Sequence, residues 1–291
     1  IITMAAVLRS QALSILALGM GLWVSVVSTS LTLAFTPVML VFLCAMGAAL
    51  FLWFYWTIQM AMCVFGVFLC WTWWLFATES NMPQNVAFFV NLFFLTVYFG
   101  TFLSSDILNR LWAAESQPAE TSEDSVVLTV LARYANAFLY FLTVTLLSMP
   151  TGYLDRIHYF YWPFGAALAG TALLFRHVDR EPTREDDIYY ILATGVITLG
   201  FANAFDAMRL SQILALEGLC LFALRYLTKR SVFLLLNLAV YAIAFGHFNR
   251  VTLGPSEFEP PASNDWEALA SGLPVVLFLL APLVLAPFWK T

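Results

Sequence analysis

The amino-acid sequence predicts an all-α integral membrane bundle of about ten transmembrane helices, with both termini cytoplasmic. Three observations carry this. Hydrophobic residues make up 62% of the 291 residues, against roughly 45–50% in soluble domains. Charged residues make up 11%, against about 25% there. The apolar residues also fall in continuous runs of span length, whereas barrel strands alternate apolar and polar residues over about ten positions. Lipid offers the backbone no hydrogen-bond partners, so such runs must be helices. So few charges could not cover a soluble fold of this size. An ordinary soluble enzyme, a nucleic-acid binder, a disordered chain and a disulfide scaffold are thereby excluded.

A span needs about 20 apolar residues to cross a core of about 30 Å. Ten spans with short loops fill the chain and leave no room for a soluble catalytic domain. The first span covers residues 11–33, after Arg9. Nothing between Arg9 and Pro37 pairs a small-residue cleavage site with a following soluble domain, so it is not a removed signal peptide. The chain opens on Ile1, which suggests a fragment or a processed form. Spans two and three, residues 37–57 and 59–78, are rich in Trp and Phe. Trp53, Trp56, Trp71, Trp73 and Trp74 cluster towards span ends, where indoles favour the headgroup zone. Span four covers residues 86–104.

Residues 105–124 form an acidic linker with Glu115, Glu120, Glu123 and Asp124. Thr121 or Ser122 caps the start of span five, residues 125–149. Pro150 and Gly152 stop that span. Span six, residues 157–176, carries the small patch Gly165 to Gly170 and ends on Arg176. The acidic end of loop 177–187 (Glu185, Asp186, Asp187) starts span seven, residues 188–205. Span eight, residues 208–226, carries Ala215 to Gly218 and ends on Arg225. Span nine, residues 231–248, follows Lys229 and Arg230. Gly254, Pro255, Pro260 and Pro261 break any helix in loop 249–270, where Trp266 anchors a short interfacial segment. Span ten covers residues 271–289.

Orientation follows from Lys and Arg near the span ends. The N-terminal side holds Arg9, Arg110, Arg176, Arg180, Arg184, Arg225, Lys229, Arg230 and Lys290. Arg133, two turns into span five, snorkels to the same side. The opposite side holds only Arg156, Arg209 and Arg250. The N-terminal side is therefore cytoplasmic, and an even span count returns the C-terminus to it. The linker divides the chain into a four-helix block, residues 1–104, and a six-helix block of hairpins, residues 125–291. Spans five–six and seven–eight repeat loosely, each ending in small residues and an Arg. The net charge of −5 argues against a polybasic surface for nucleic acid or anionic lipid.

Glu217 is the foremost candidate functional residue. It lies eight residues from Arg209 and eight from Arg225, so it sits near mid-membrane. An ionised side chain there costs roughly 3 kcal/mol on insertion scales. It should face other helices, with Gly218 allowing close approach. It serves either as a tie between helices or as an ion or proton site. Asn203, Asp206 and Arg209 lie around the outside turn between spans seven and eight, where Asp206 and Arg209 can pair. Asn91, Asn136 and Asn237 lie within spans and are expected to link helices. Asp155, Arg156 and His158 form an outside turn.

Cys44, Cys63, Cys70 and Cys220 fall inside apolar segments without CxxC spacing, so buried structural thiols are expected and no metal site. His158, His177 and His247 sit near span ends, not at the depth that buried haem or pigment requires. No HExxH, GxSxG, Walker or GxGxxG pattern appears. No cofactor and no catalytic set is expected.

The stretch from Asp186 to His247 contains Asp186-Asp-Ile-Tyr-Tyr-Ile-Leu-Ala, Ile-Thr-Leu-Gly-Phe-Ala-Asn-Ala-Phe and Leu-Ala-Leu-Glu-Gly-Leu-Cys-Leu-Phe-Ala-Leu-Arg-Tyr-Leu. It resembles a bacterial family of multi-spanning membrane proteins of unknown function. Their hairpins repeat, and one helix carries an Ala-Leu-Glu-Gly-type motif before a basic turn. Here the motif is Ala215 to Gly218, followed by Arg225, Lys229 and Arg230. The resemblance covers residues 130–250. Family members are longer, with more spans and an N-terminal coiled coil, which implies a fragment or a short relative here. It implies a membrane location, the bacterial cytoplasmic membrane, and no particular activity.

Two function classes follow. The first is a non-enzymatic structural or accessory subunit of a membrane complex, in contact with lipid and other membrane subunits. The second is a transporter or channel that uses Glu217. Few charges at depth, the lack of an obvious inverted repeat and the lack of a Gly/Pro-broken helix pair favour the first.

Overall fold

The computed structural model describes residues 10–27, 35–54, 57–77, 84–113, 123–178, 186–205, 207–253 and 276. Among the described residues the chain is all-helical, with nine α-helices and no strand. They are α1 (Gln11–Val27), α2 (Phe35–Phe54), α3 (Thr57–Ala77), α4 (Gln84–Ala113) and α5 (Glu123–Ser148). After a 3₁₀ turn at Leu154–Arg156 come α6 (His158–Val178), α7 (Asp186–Ala204), α8 (Ala207–Thr228) and α9 (Ser231–Leu253).

Six helices are long and apolar enough to cross a membrane: α2, α4, α5, α7, α8 and α9. α1 is apolar but shorter, as is the Ile58–Thr72 part of α3. Their outward faces carry large apolar side chains; Trp23, Leu69 and Leu227 are each 70% exposed or more. Apolar faces on this scale belong against lipid rather than water. Helices stand at each of the first nine expected spans. The expected tenth span and the loop with Trp266 lie outside the described residues apart from Val276.

The fold divides into two compact units, Ile1–Leu154 with Leu173–Glu185, and Asp155–Ala172 with Asp186–Thr291. This differs from the expected division into residues 1–104 and 125–291, because α5 packs on α3 and α4 of the first unit. The expected linker also starts too early. α4 runs on to Ala113 through Ser105, Asp106 and Arg110, all three buried. At about 1.5 Å per residue, its 30 residues reach about 45 Å, beyond a hydrocarbon core of about 30 Å.

In the first unit α3 packs against α1, α2 and α5, and α2 against α4. Gly47 of α2 makes room for Cys63 of α3: a Cβ there would lie 2.6 Å from the Cys63 sulfur. Trp71 of α3 is fully buried against Tyr98 of α4, ring centroids 5.5 Å apart. The Tyr98 hydroxyl donates to the Pro37 carbonyl at 2.9 Å. α4 and α5 form an antiparallel hairpin whose register is marked by Thr96–Tyr140 at 2.8 Å and Asn136–Phe99 at 3.2 Å.

In the second unit α8 and α9 pack along their length, and α7 touches both. α6 meets α7 where Gly165 lies under Ile197 and Gly200 under Trp162. α6 passes Pro163 without a break; the proline stands close to the helix start, where a missing backbone donor costs least. Lys229 and Arg230 alone connect α8 to α9. Lys229 holds φ at 57°, the left-handed C-cap conformation, and its N–H donates to the Arg225 carbonyl at 2.8 Å.

Candidate functional site

Glu217 stands midway along α8 and is half-buried. Its carboxyl group meets α7. The Thr198 Oγ1 lies 3.0 Å from Oε1 and 3.1 Å from Oε2. The same hydroxyl lies 2.8 Å from the Thr194 carbonyl of its own helix. On the next residue, the Gly218 carbonyl accepts from Asn237 Nδ2 of α9 at 2.6 Å. Gly218 is needed there because any Cβ would overlap the Tyr241 ring. Glu217 and Gly218 thus tie α8 to both of its neighbours at one depth.

Further polar contacts mark the two ends of this unit. At one end Arg230 pairs with Asp187 at 2.7 Å, joining the start of α9 to the start of α7. At the other, Ser211 of α8 and His247 Nδ1 of α9 lie 2.8 Å apart. Asn203 at the end of α7 meets His158 Nδ1 of α6 at 2.9 Å. His158 also stacks against Trp162, ring centroids 5.2 Å apart. Arg209 is exposed in the first turn of α8. Asp206, expected to pair with it, lies outside the described residues.

In the first unit Arg133 differs from the sequence expectation. It does not snorkel: it is 6% exposed, and its Nε and Nη2 both reach Asp106 Oδ1 at 2.7 Å. The physical reason is the overrun of α4, which carries Asp106 into the α4–α5 contact as a counter-charge. Arg110, one turn further along α4, lies with its guanidinium carbon 3.9 Å from the centre of the Phe175 ring, a cation–π arrangement.

The three asparagines divide. Asn136 and Asn237 bridge helices. Asn91 instead donates to the Ala87 carbonyl of its own helix at 2.7 Å. Cys44, Cys63 and Cys70 are buried, whereas Cys220 is exposed, because it lies on the outward face of α8. Among the described residues no group of three His, Cys, Asp or Glu could hold a metal ion.

Sequence reasoning singled out Glu217 but missed Thr198, and it missed Asp106 as the partner of Arg133. The signal for both was available. In an antiparallel hairpin, contacting residues stand about equally far from the turn. Reflecting Glu217 through the midpoint between α7 and α8 lands on Thr194, one helical turn from Thr198. Reflecting Arg133 through 114–122 lands close to Asp106.

No family model, curated protein or solved structure matches the chain.

Proposed function

We propose that this chain is a non-enzymatic subunit of a membrane complex, a ten-span bundle in the bacterial cytoplasmic membrane with both termini cytoplasmic. Kinship with the multi-spanning family of Ala-Leu-Glu-Gly hairpins forms part of this proposal. The observation that carries it is the placement of Glu217. Its carboxyl group faces the neighbouring helix, with both oxygens within 3.1 Å of the Thr198 hydroxyl. Asn136, Asn237 and Arg133 are spent in the same way, on contacts between helices. Polar groups used in this way give a bundle a fixed internal geometry against which other subunits can pack.

Native mass spectrometry of the protein, extracted in mild detergent from its own membrane, tests this. Fixed stoichiometry with other chains is expected. A lone protomer or a homo-oligomer would overturn the subunit reading. The polar series from Asp187 to His247 supports a second reading, a transporter or channel with Glu217 on its path. In that case Glu217→Gln would abolish pH-dependent flux into vesicles while the protein still folds; a subunit would show no such flux in either form.

A further inference from the structure

We propose that Glu217 is a proton-binding site that latches α7 to α8, carrying a hydrogen while the joint is closed and giving it to water when the joint opens. Four oxygens meet at this point: the two of Glu217, the Thr198 hydroxyl and the Thr194 carbonyl. Of the four, only the hydroxyl brings a hydrogen, and it owns a single one. With an ionised Glu217, that hydrogen serves one of three acceptors within 3.1 Å. The anion is then left with at most one hydrogen bond from Thr198, at a depth where charge is expensive.

A proton on Glu217 completes the set. The carboxyl donates to Thr198 Oγ1, and the hydroxyl donates onward to the Thr194 carbonyl. Each hydrogen then has an acceptor and no net charge is buried. Opening the joint transfers the proton to water and leaves a hydrated carboxylate; closing takes the proton back.

The surroundings supply no cation that would hold the ionised form. α7 from Ile188 to Ala204 and α9 from Val232 to Gly246 contain no Lys, Arg or His. On α8 the nearest are Arg209 and Arg225, about 12 Å away along the axis. Besides the arginines, other titratable groups of the packed helices are Tyr189 and Tyr190 at the start of α7, Cys220 and, at the end of α8, Tyr226, and Tyr241 and, near the end of α9, His247. Arg250 follows His247 in the last turn of α9. α6 brings His158, Tyr159 and Tyr161 only to the far end of α7, near Asn203 and Gly200. Asp187 and Arg230 pair at the opposite end. With no second carboxyl at this depth in α7 to α9, the site works as a latch that holds one proton and not as a relay that passes protons on. The latch does not depend on the subunit reading, so loss of partners in mass spectrometry would leave it standing.

The test is infrared difference spectroscopy of the full chain in phosphatidylcholine vesicles, comparing the parent protein with Glu217→Gln. The expected result at neutral pH is a carboxylic-acid C=O stretch in the parent alone, which moves on exchange into heavy water. Raising the pH should replace this band by a carboxylate stretch. It should also lower the parent's thermal midpoint, since withdrawing the proton removes the hydrogen bond by which the Glu217 carboxyl holds Thr198. Glu217→Gln should show no such alkaline loss. A difference spectrum with only a carboxylate band at neutral pH would overturn the proposal, as would equal alkaline loss in both proteins. Should Glu217→Gln fail to fold, Thr198→Val serves in its place. Its acid band must shift in frequency from the parent's, and an unshifted or absent band overturns the latch.

Discussion

Asp106 and Arg133 show how much of this molecule depends on single side chains. Their side chains are 2% and 6% exposed and meet at 2.7 Å. Removing one partner leaves the other charged and buried, which costs about 3–5 kcal/mol. Asp106→Ala should therefore lower the unfolding midpoint in detergent sharply. The double variant Asp106→Leu with Arg133→Met should recover most of the loss, because a buried ion pair adds little over a well-packed apolar pair. Gly218 offers a second case. Gly218→Val must displace the Tyr241 ring, and overpacking of this kind costs about 1–3 kcal/mol. Gly246 of α9 has no atom near its would-be Cβ. Gly246→Ala should leave thermal stability unchanged or slightly raised, since Gly is a poor helix former. The sequence marked Glu217 by its depth alone. Asp106 did not stand out in the same way, because a carboxylate after an apolar run reads as the start of a loop, and only the hairpin register with Arg133 points to it.

At the scale of elements, antiparallel hairpins hold most of the polar contacts between helices among the described residues. Thr96–Tyr140, Asn136–Phe99 and Arg133–Asp106 lie in order along α4 and α5. Asn237–Gly218 and Ser211–His247 do the same along α8 and α9. Helix positions were legible from the apolar runs, since a span of lipid imposes its length on the sequence. Helix ends were less so: the apolar run of α4 fades before the helix does, and its last turns are held by packing on α5. Of the asparagines, Asn237 reaches across to another helix and Asn91 does not. Asn237→Leu should cost up to about 1 kcal/mol, in line with interhelical hydrogen bonds in membranes. Asn91→Leu should cost less, since no interhelical hydrogen bond is lost with it. Thermal denaturation of the two variants side by side separates these outcomes.

At the scale of the whole molecule, the charge pattern makes a prediction about sidedness. Cysteines introduced at Asp155 and at Tyr226, both exposed, should be labelled by a membrane-impermeant maleimide from opposite faces of sealed vesicles. Cys220→Ser provides the background, since Cys220 is the exposed native thiol among those described. Labelling of both sites from one face would overturn this topology. The grouping of α5 with the first four helices was not legible, because composition records where lipid is met and says nothing about which helix meets which. The two-residue joint at Lys229 and Arg230 has a consequence for how the chain is made. A hairpin closed so tightly forms its contacts between residues near in sequence, which favours early assembly. α8 and α9 can then leave the insertion machinery as a pair, with the Asn237 amide already shielded by the Gly218 carbonyl. The polar cost of crossing into lipid is met before the bilayer is reached, and the rest of the second unit gathers on a preassembled wedge.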